Sequence, residues 1–117
     1  MKAYKVVYCD RDGKPWSYSG LGAVEYAVER WTKPKPNNGP LAVFESYDAA
    51  VRFLVSMGCV QANDSCIRVY TCEFKPSSKK KIWFYDDTGS KVENLNLPAG
   101  TILASAVKLV DFVECWW

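Results

Sequence analysis

Between Lys2 and Cys9 the chain sets Tyr4, Val6 and Tyr8 against Lys5 and Val7, the two-residue period of a strand, and Asp10-Arg11-Asp12-Gly13 follows with residues suited to reversing it. Pro15 and Trp16 open a short, edge-like return. After Gly20-Leu21-Gly22, Val24, Tyr26 and Val28 alternate with Glu25, Ala27 and Glu29, which predicts a half-buried strand with an acidic outer face. Trp31 to Pro40 carries three prolines and an Asn-Gly step and reads as loop. Leu41-Ala42-Val43-Phe44 then reads as a short buried strand. Ser46 is placed to cap a helix from about Tyr47 to Met57, with Asp48 in its first turn, Ala49, Ala50, Phe53, Leu54 and Met57 on one face, and Gly58 just past its end.

The second half is strand-like throughout. A polar loop from Cys59 to Ser65 leads into a strand from Cys66 to Phe74, which Lys75 to Lys81 interrupts. Ile82-Trp83-Phe84-Tyr85 is a further strand closed by Asp86-Asp87-Thr88-Gly89, and Val92 to Leu97 either pairs with it or runs as loop. Pro98-Ala99-Gly100 makes a turn before two more strands, Thr101 to Ala104 and Val107 to Val113. The connections are too short for repeated crossover helices, so the pattern predicts one α+β domain over residues 1–117. Its sheet is curved and mostly antiparallel, with six to eight short strands packed on one main helix.

Composition narrows the chemistry. The chain holds five Trp, seven Tyr and five Phe but no His. The usual general base near neutral pH, the usual partner of a nucleophile and the commonest metal ligand are therefore missing. That weighs against catalysis, and neither a catalytic residue, a metal nor a cofactor is expected. Five cysteines, an odd number without CxxC spacing, read as reduced structural thiols. The N-terminal apolar run is too short for a signal peptide, which predicts a protein of the cytoplasm that does not engage a membrane. The net charge of +2 is too small by itself to predict nucleic-acid binding.

Three groups of residues carry candidate contacts. Lys79, Lys80 and Lys81, followed by Trp83, combine charge for phosphates with rings for bases. A solvated hairpin tip with lysines guarding an edge explains the same run, and nucleic acid is disfavoured on net charge. Trp31, Lys33 and Lys35, taken with Ser46 and the amides of the helix N-terminus, form a candidate site for an anion such as a phosphate-bearing small molecule. The terminal Trp116 and Trp117 either pack on the domain's own sheet or support self-association. Glu25, Glu29 and Glu73 are strand carboxylates that serve acid-base chemistry only if the fold brings them together.

The order of segments resembles a loose group of small uncharacterised α+β proteins of phages, viruses and microbial genomes. The resemblance rests on Tyr4-Lys5-Val6-Val7, Tyr26 to Trp31 with Pro34, Leu41 to Ser46 with Ala49 and Phe53, Val69 to Phe74, and Pro98 to Thr101 leading to Val107-Lys108-Leu109. It implies a viral setting, in the host cytoplasm; joined to the missing histidine, the expectation is a non-enzymatic accessory factor that binds a host protein, another host macromolecule or a nucleotide-like ligand to counteract host defence. A structural part in a viral assembly is a further alternative. A fainter analogy is to ADP-ribosyltransferases, whose late-strand glutamate only Glu73 could match. That analogy implies a nucleotide-processing enzyme, although Lys2 to Cys9 holds neither the arginine nor the histidine those families use.

Overall fold

The computed structural model describes residues 1–10, 12–17, 24–56, 66–85, 88–94 and 97–116. Its first element is the hairpin of β1 (Lys2–Cys9) and β2 (Pro15–Ser17). Asp10 shapes the turn: its Oδ1 accepts the N–H groups of Asp12 at 2.9 Å and Lys14 at 3.0 Å, and its Oδ2 accepts Nε1–H of Trp16 at 2.9 Å. These bonds, that from Trp16 foremost, hold its carboxyl below the usual carboxylate range. Gly13 takes the left-handed φ of 80° that the reversal needs.

The remaining elements are β3 (Trp31–Thr32), β4 (Leu41–Phe44), α1 (Tyr47–Ser56), β5 (Cys66–Pro76), β6 (Ile82–Tyr85), β7 (Lys91–Asn94) and β8 (Thr101–Trp116). All strand pairings are antiparallel among the described residues. β5 lies between β1 and β8, the far edge of β8 takes β4 at residues 101–104 and β3 at 107–108, and β4 returns to β1 through Tyr4 opposite Phe44. The order β1-β5-β8-β4 thus closes on itself as a small barrel. Register shifts along β5 and β8 supply the curvature, and at one of them Thr71 Oγ1 accepts the amide of Asp111 at 3.1 Å. β6 and β7 form a separate two-stranded sheet.

Closure gives the strands an inside and an outside, and both are apolar for part of their length. Ala3, Val7, Tyr26, Val43, Cys72, Phe74, Val107 and Leu109 fill the interior. On the outside α1 covers Val6, Phe44, Ile67 and Val69 with Ala49, Ala50 and Leu54, while Phe53 is half-buried and tilts against Phe44 at 5.1 Å. The Ser46 hydroxyl caps this helix by accepting the amide of Ala49 at 3.1 Å. Tyr47 anchors it by donating to Glu114 at 2.6 Å, and that carboxylate pushes the phenol up. No helix among the described residues is long and apolar enough to cross a membrane.

Lys5 shares the interior face of β1 and is only 6% exposed. Its Nζ donates to the carbonyl of Ala42 at 2.6 Å and stands 5.5 Å from the centre of the Tyr26 ring. The ammonium therefore bridges β1 to β4, where the backbone ladder consists of a single residue pair. Cys72 lies in the same interior, and burial pushes its thiol up to about 11. The thiols of Cys9 and Cys72 are buried and that of Cys115 is half-exposed.

Three expectations from the sequence are corrected. Val24 to Glu29 is not a strand: Val24 and Tyr26 are buried, but only Glu25 bridges to Trp16, and the chain turns at Glu29, whose φ is 70°. That turn delivers Trp31 and Thr32 to β8 as β3, so the loop begins at Lys33 rather than Trp31. The two strands expected over 101–113 are one 16-residue strand, because β5 accompanies β8 past Ser105 and Ala106 while the partner on the other edge changes. Val92, left open between pairing and loop, lies opposite Phe84 in β7. Met57, Gly58, the loop from Cys59 to Ser65 and Trp117 lie outside the described residues, and the backbone of Trp116 pairs with Ile67.

Two stability measurements follow, both by urea denaturation. Leu54→Ala is expected to cost about 2–5 kcal/mol and Ser46→Ala about 1 kcal/mol, with equal small losses ruling out the packing described for α1. Lys5→Met keeps the apolar stem and removes the donor to Ala42, so it is expected to cost about 1.5–3 kcal/mol. An unchanged midpoint would show that the ammonium does not hold β1 to β4.

Candidate functional site

Where α1 stops covering the barrel, the outer face changes from apolar to charged. Lys2 on β1 lies opposite Glu73 on β5, Glu73 opposite Lys108 on β8, and Lys108 opposite Trp31 on β3. At about 4.8 Å per strand, this row is about 14 Å wide. Alternation places Lys75 on the same face two residues beyond Glu73. Trp31 is 42% exposed. Lys75 Nζ stands 4.9 Å and Lys108 Nζ 5.4 Å from its ring centre. An exposed indole is thus held with two ammonium groups against it.

Glu73 is bound into the same cluster through its 2.8 Å ion pair with Lys108. The hydrogen bond and charge of Lys108 hold the Glu73 carboxyl below the usual range, and Glu73 in turn raises Lys108. Glu29 adds to the second effect through its charge, so the fold brings Glu29 and Glu73 around one lysine. Both carboxylates face a cation rather than each other. Glu73, held below the usual range, is ionised at neutral pH and is poorly suited to act as a general acid. Glu25 lies elsewhere, 3.8 Å from Lys14.

The two lysine-and-tryptophan candidates meet on this side of the molecule. Trp83 docks on the loop after β3: its Nε1–H donates to Asn37 O at 3.0 Å, and its carbonyl accepts the amide of Gly39 at 2.8 Å. A Cβ on Gly39 would sit 2.6 Å from the indole and 2.8 Å from the Trp83 backbone nitrogen, so glycine is required for this approach. Lys91 lies 5.1 Å from the Trp83 ring centre, and Glu93 pairs with Lys81 at 2.8 Å and Lys91 at 3.1 Å. Trp83 is therefore an anchor between the hairpin and the loop, and Lys81 is neutralised. Lys33, Lys35, Lys79 and Lys80 are exposed.

Ser46 is not part of this cluster. Trp31 lies opposite position 108 of β8 and Phe44 opposite position 101, a separation of roughly 23 Å along the strand at about 3.3 Å per residue. The hydroxyl of Ser46 is engaged by its own helix. A groove of about 550 Å³ beside α1, lined by Arg52, Phe53, Leu97 and Pro98 among others, opens on a different part of the surface.

No family model, curated protein or solved structure matches the chain. The site rests on its geometry. Sequence reasoning singled out Trp31 and, separately, the lysine run that begins at Lys75, but it joined neither Lys75 nor Lys108 to Trp31. The available signal for Lys108 was a lysine inside the apolar run Val107 to Val110, and its pairing with Glu73 and Trp31 depends on register.

The ion pair makes a measurable prediction. Glu73 titrates below its ordinary value of 4.5, so the stability it contributes is complete at neutral pH and is lost as pH falls through the depressed value. Lys108 is the mirror case, contributing until pH rises through its raised value. In Lys108→Met the Glu73 titration followed by side-chain carboxyl NMR is expected to return upward toward 4.5. An unchanged midpoint would remove Lys108 as its partner.

Proposed function

We propose that this chain is a non-enzymatic binding protein that takes a phosphate-bearing, ring-containing ligand of the nucleotide type on its outer face at Trp31. The observation that carries the reading is the exposed indole with Lys75 and Lys108 beside it. A planar base gains by stacking on an indole, and its phosphate gains from adjacent ammonium groups without covalent chemistry. Ion pairing of Glu73 supports binding over turnover, because the one carboxylate suited to the ribosyltransferase analogy is committed to Lys108. The resemblance to small phage and viral proteins adds a host macromolecule as the source of the ligand.

Fluorescence titration at low salt with a panel of nucleoside phosphates, including NAD, tests the reading, with mass spectrometry of the recovered ligand. Saturable binding and unchanged ligand are expected. Trp31→Ala is expected to weaken binding by about 1–3 kcal/mol, the usual loss for one stacked base. Binding that ignores Trp31→Ala would move the site elsewhere. Ligand conversion that disappears in Glu73→Gln would replace the binding reading with the enzymatic one.

A further inference from the structure

The net charge of +2 conceals a strong segregation. From Arg30 to Phe44 the chain has three basic residues, Arg30, Lys33 and Lys35, and no acidic one. From Phe74 to Tyr85 it has Lys75, Lys79, Lys80 and Lys81, again without an acidic residue. Thr101 to Val110 carries Lys108 as its only charge.

The topology brings these three segments together. β3 and β4 lie along one edge of β8, β5 lies along the other, and Ser105 Oγ donates toward the carbonyls of Lys75 at 3.3 Å and Pro76 at 3.4 Å. The amide of Ser77 continues the contact by donating to Leu103 O at 3.0 Å. The chain then travels from the β5 side of β8 to the β3 side, where Trp83 docks on Asn37 and Gly39. Both lysine-bearing connections therefore belong to the side of the barrel that displays Trp31. Glu29 and Glu73 are at its border, Glu73 being paired with Lys108, and Lys81 is paired with Glu93. Among the described residues, Arg30, Lys33, Lys35, Lys75, Lys79 and Lys80 are the exposed cations of these segments, and Lys75 lies 4.9 Å from the centre of the exposed Trp31 ring.

From this arrangement we infer that the ligand of the Trp31 face is a single strand of nucleic acid, held by stacking on Trp31 and by phosphate contacts to the 33–40 and 77–81 connections. The inference rests on the proposed binding at Trp31 and extends it from a single nucleotide to a chain. Lys75, 4.9 Å from the ring centre, suffices for one nucleotide's phosphate, Lys108 being paired with Glu73. The exposed cations of the two connections are additional to these, and a ligand that repeats its phosphates explains them. An exposed indole adds affinity for an unpaired base, whose face is open, and none for a base already stacked in a duplex.

The test compares thymidine monophosphate, oligothymidylates of increasing length and a duplex of the same length, each titrated over a range of salt concentrations. Affinity is expected to rise with oligomer length, with a logarithmic salt slope of roughly 0.7 for each phosphate contact of a single strand. The paired substitution Lys33→Gln with Lys79→Gln is expected to lower that slope by about two contacts' worth, roughly 1.4, while leaving monophosphate binding unchanged. Circular dichroism of the same variant confirms that it is folded.

Monophosphate binding as tight as the longest oligomer would overturn the extension and leave binding at Trp31 intact. Failure of both ligands to bind would overturn both. Duplex binding equal to that of the single strand, or a salt slope indifferent to Lys33 and Lys79, would also overturn the inference.

Discussion

The closing of β4 onto β1 is the constraint on which the rest of the structure depends. Tyr4 and Phe44 make the only residue pair of that ladder, and Lys5 reinforces it from inside by reaching Ala42. An ammonium in an apolar interior loses hydration, and what repays the loss here is a short charge-assisted bond and the face of Tyr26. Without closure the strands would expose a second apolar face, since Val7, Val43, Cys72 and Leu109 point away from the face that α1 covers.

Closure also decides which residues each part of the outer surface carries. One helix of ten residues is too short to cover the whole outer surface of the barrel, and it covers the half holding Val6, Ile67 and Val69. Farther along the same strands, outward positions are Glu73, Lys75 and Lys108, and β3 brings Trp31 beside them. The transition from apolar to charged residues along β5 thus separates the face that α1 supports from the charged face that carries Trp31.

The hairpin of β6 and β7 is attached to this design rather than built into it. Two strands alone are marginal in water, and these are held by Trp83 on the Asn37–Gly39 loop and by Glu93 between two lysines. The attachment orders two connections that would otherwise be independent, and in doing so places their lysines on one side of the molecule. The Trp83 ring thereby contributes to order, while the Trp31 ring stays exposed beside Lys75 and Lys108.

Local residue choice alone determined much of this protein. Asp10 and Gly13 specify a turn, Ser46 with Ala49, Ala50 and Leu54 specifies a capped amphipathic helix, and the apolar runs locate most of the strands. These are decided within a few residues by backbone conformation, capping and periodicity. Tertiary structure decided what depends on register and closure: that Val24 to Glu29 bends where its alternation promised a strand, that 101–116 is one continuous strand, and that Lys5 is inside. It also separated Ser46 from Trp31 and joined Trp31 to Lys75 and Lys108. Alternation tells which residues share a face of one strand, but a one-residue change of register would exchange those faces, so only the paired strands determine which charges meet.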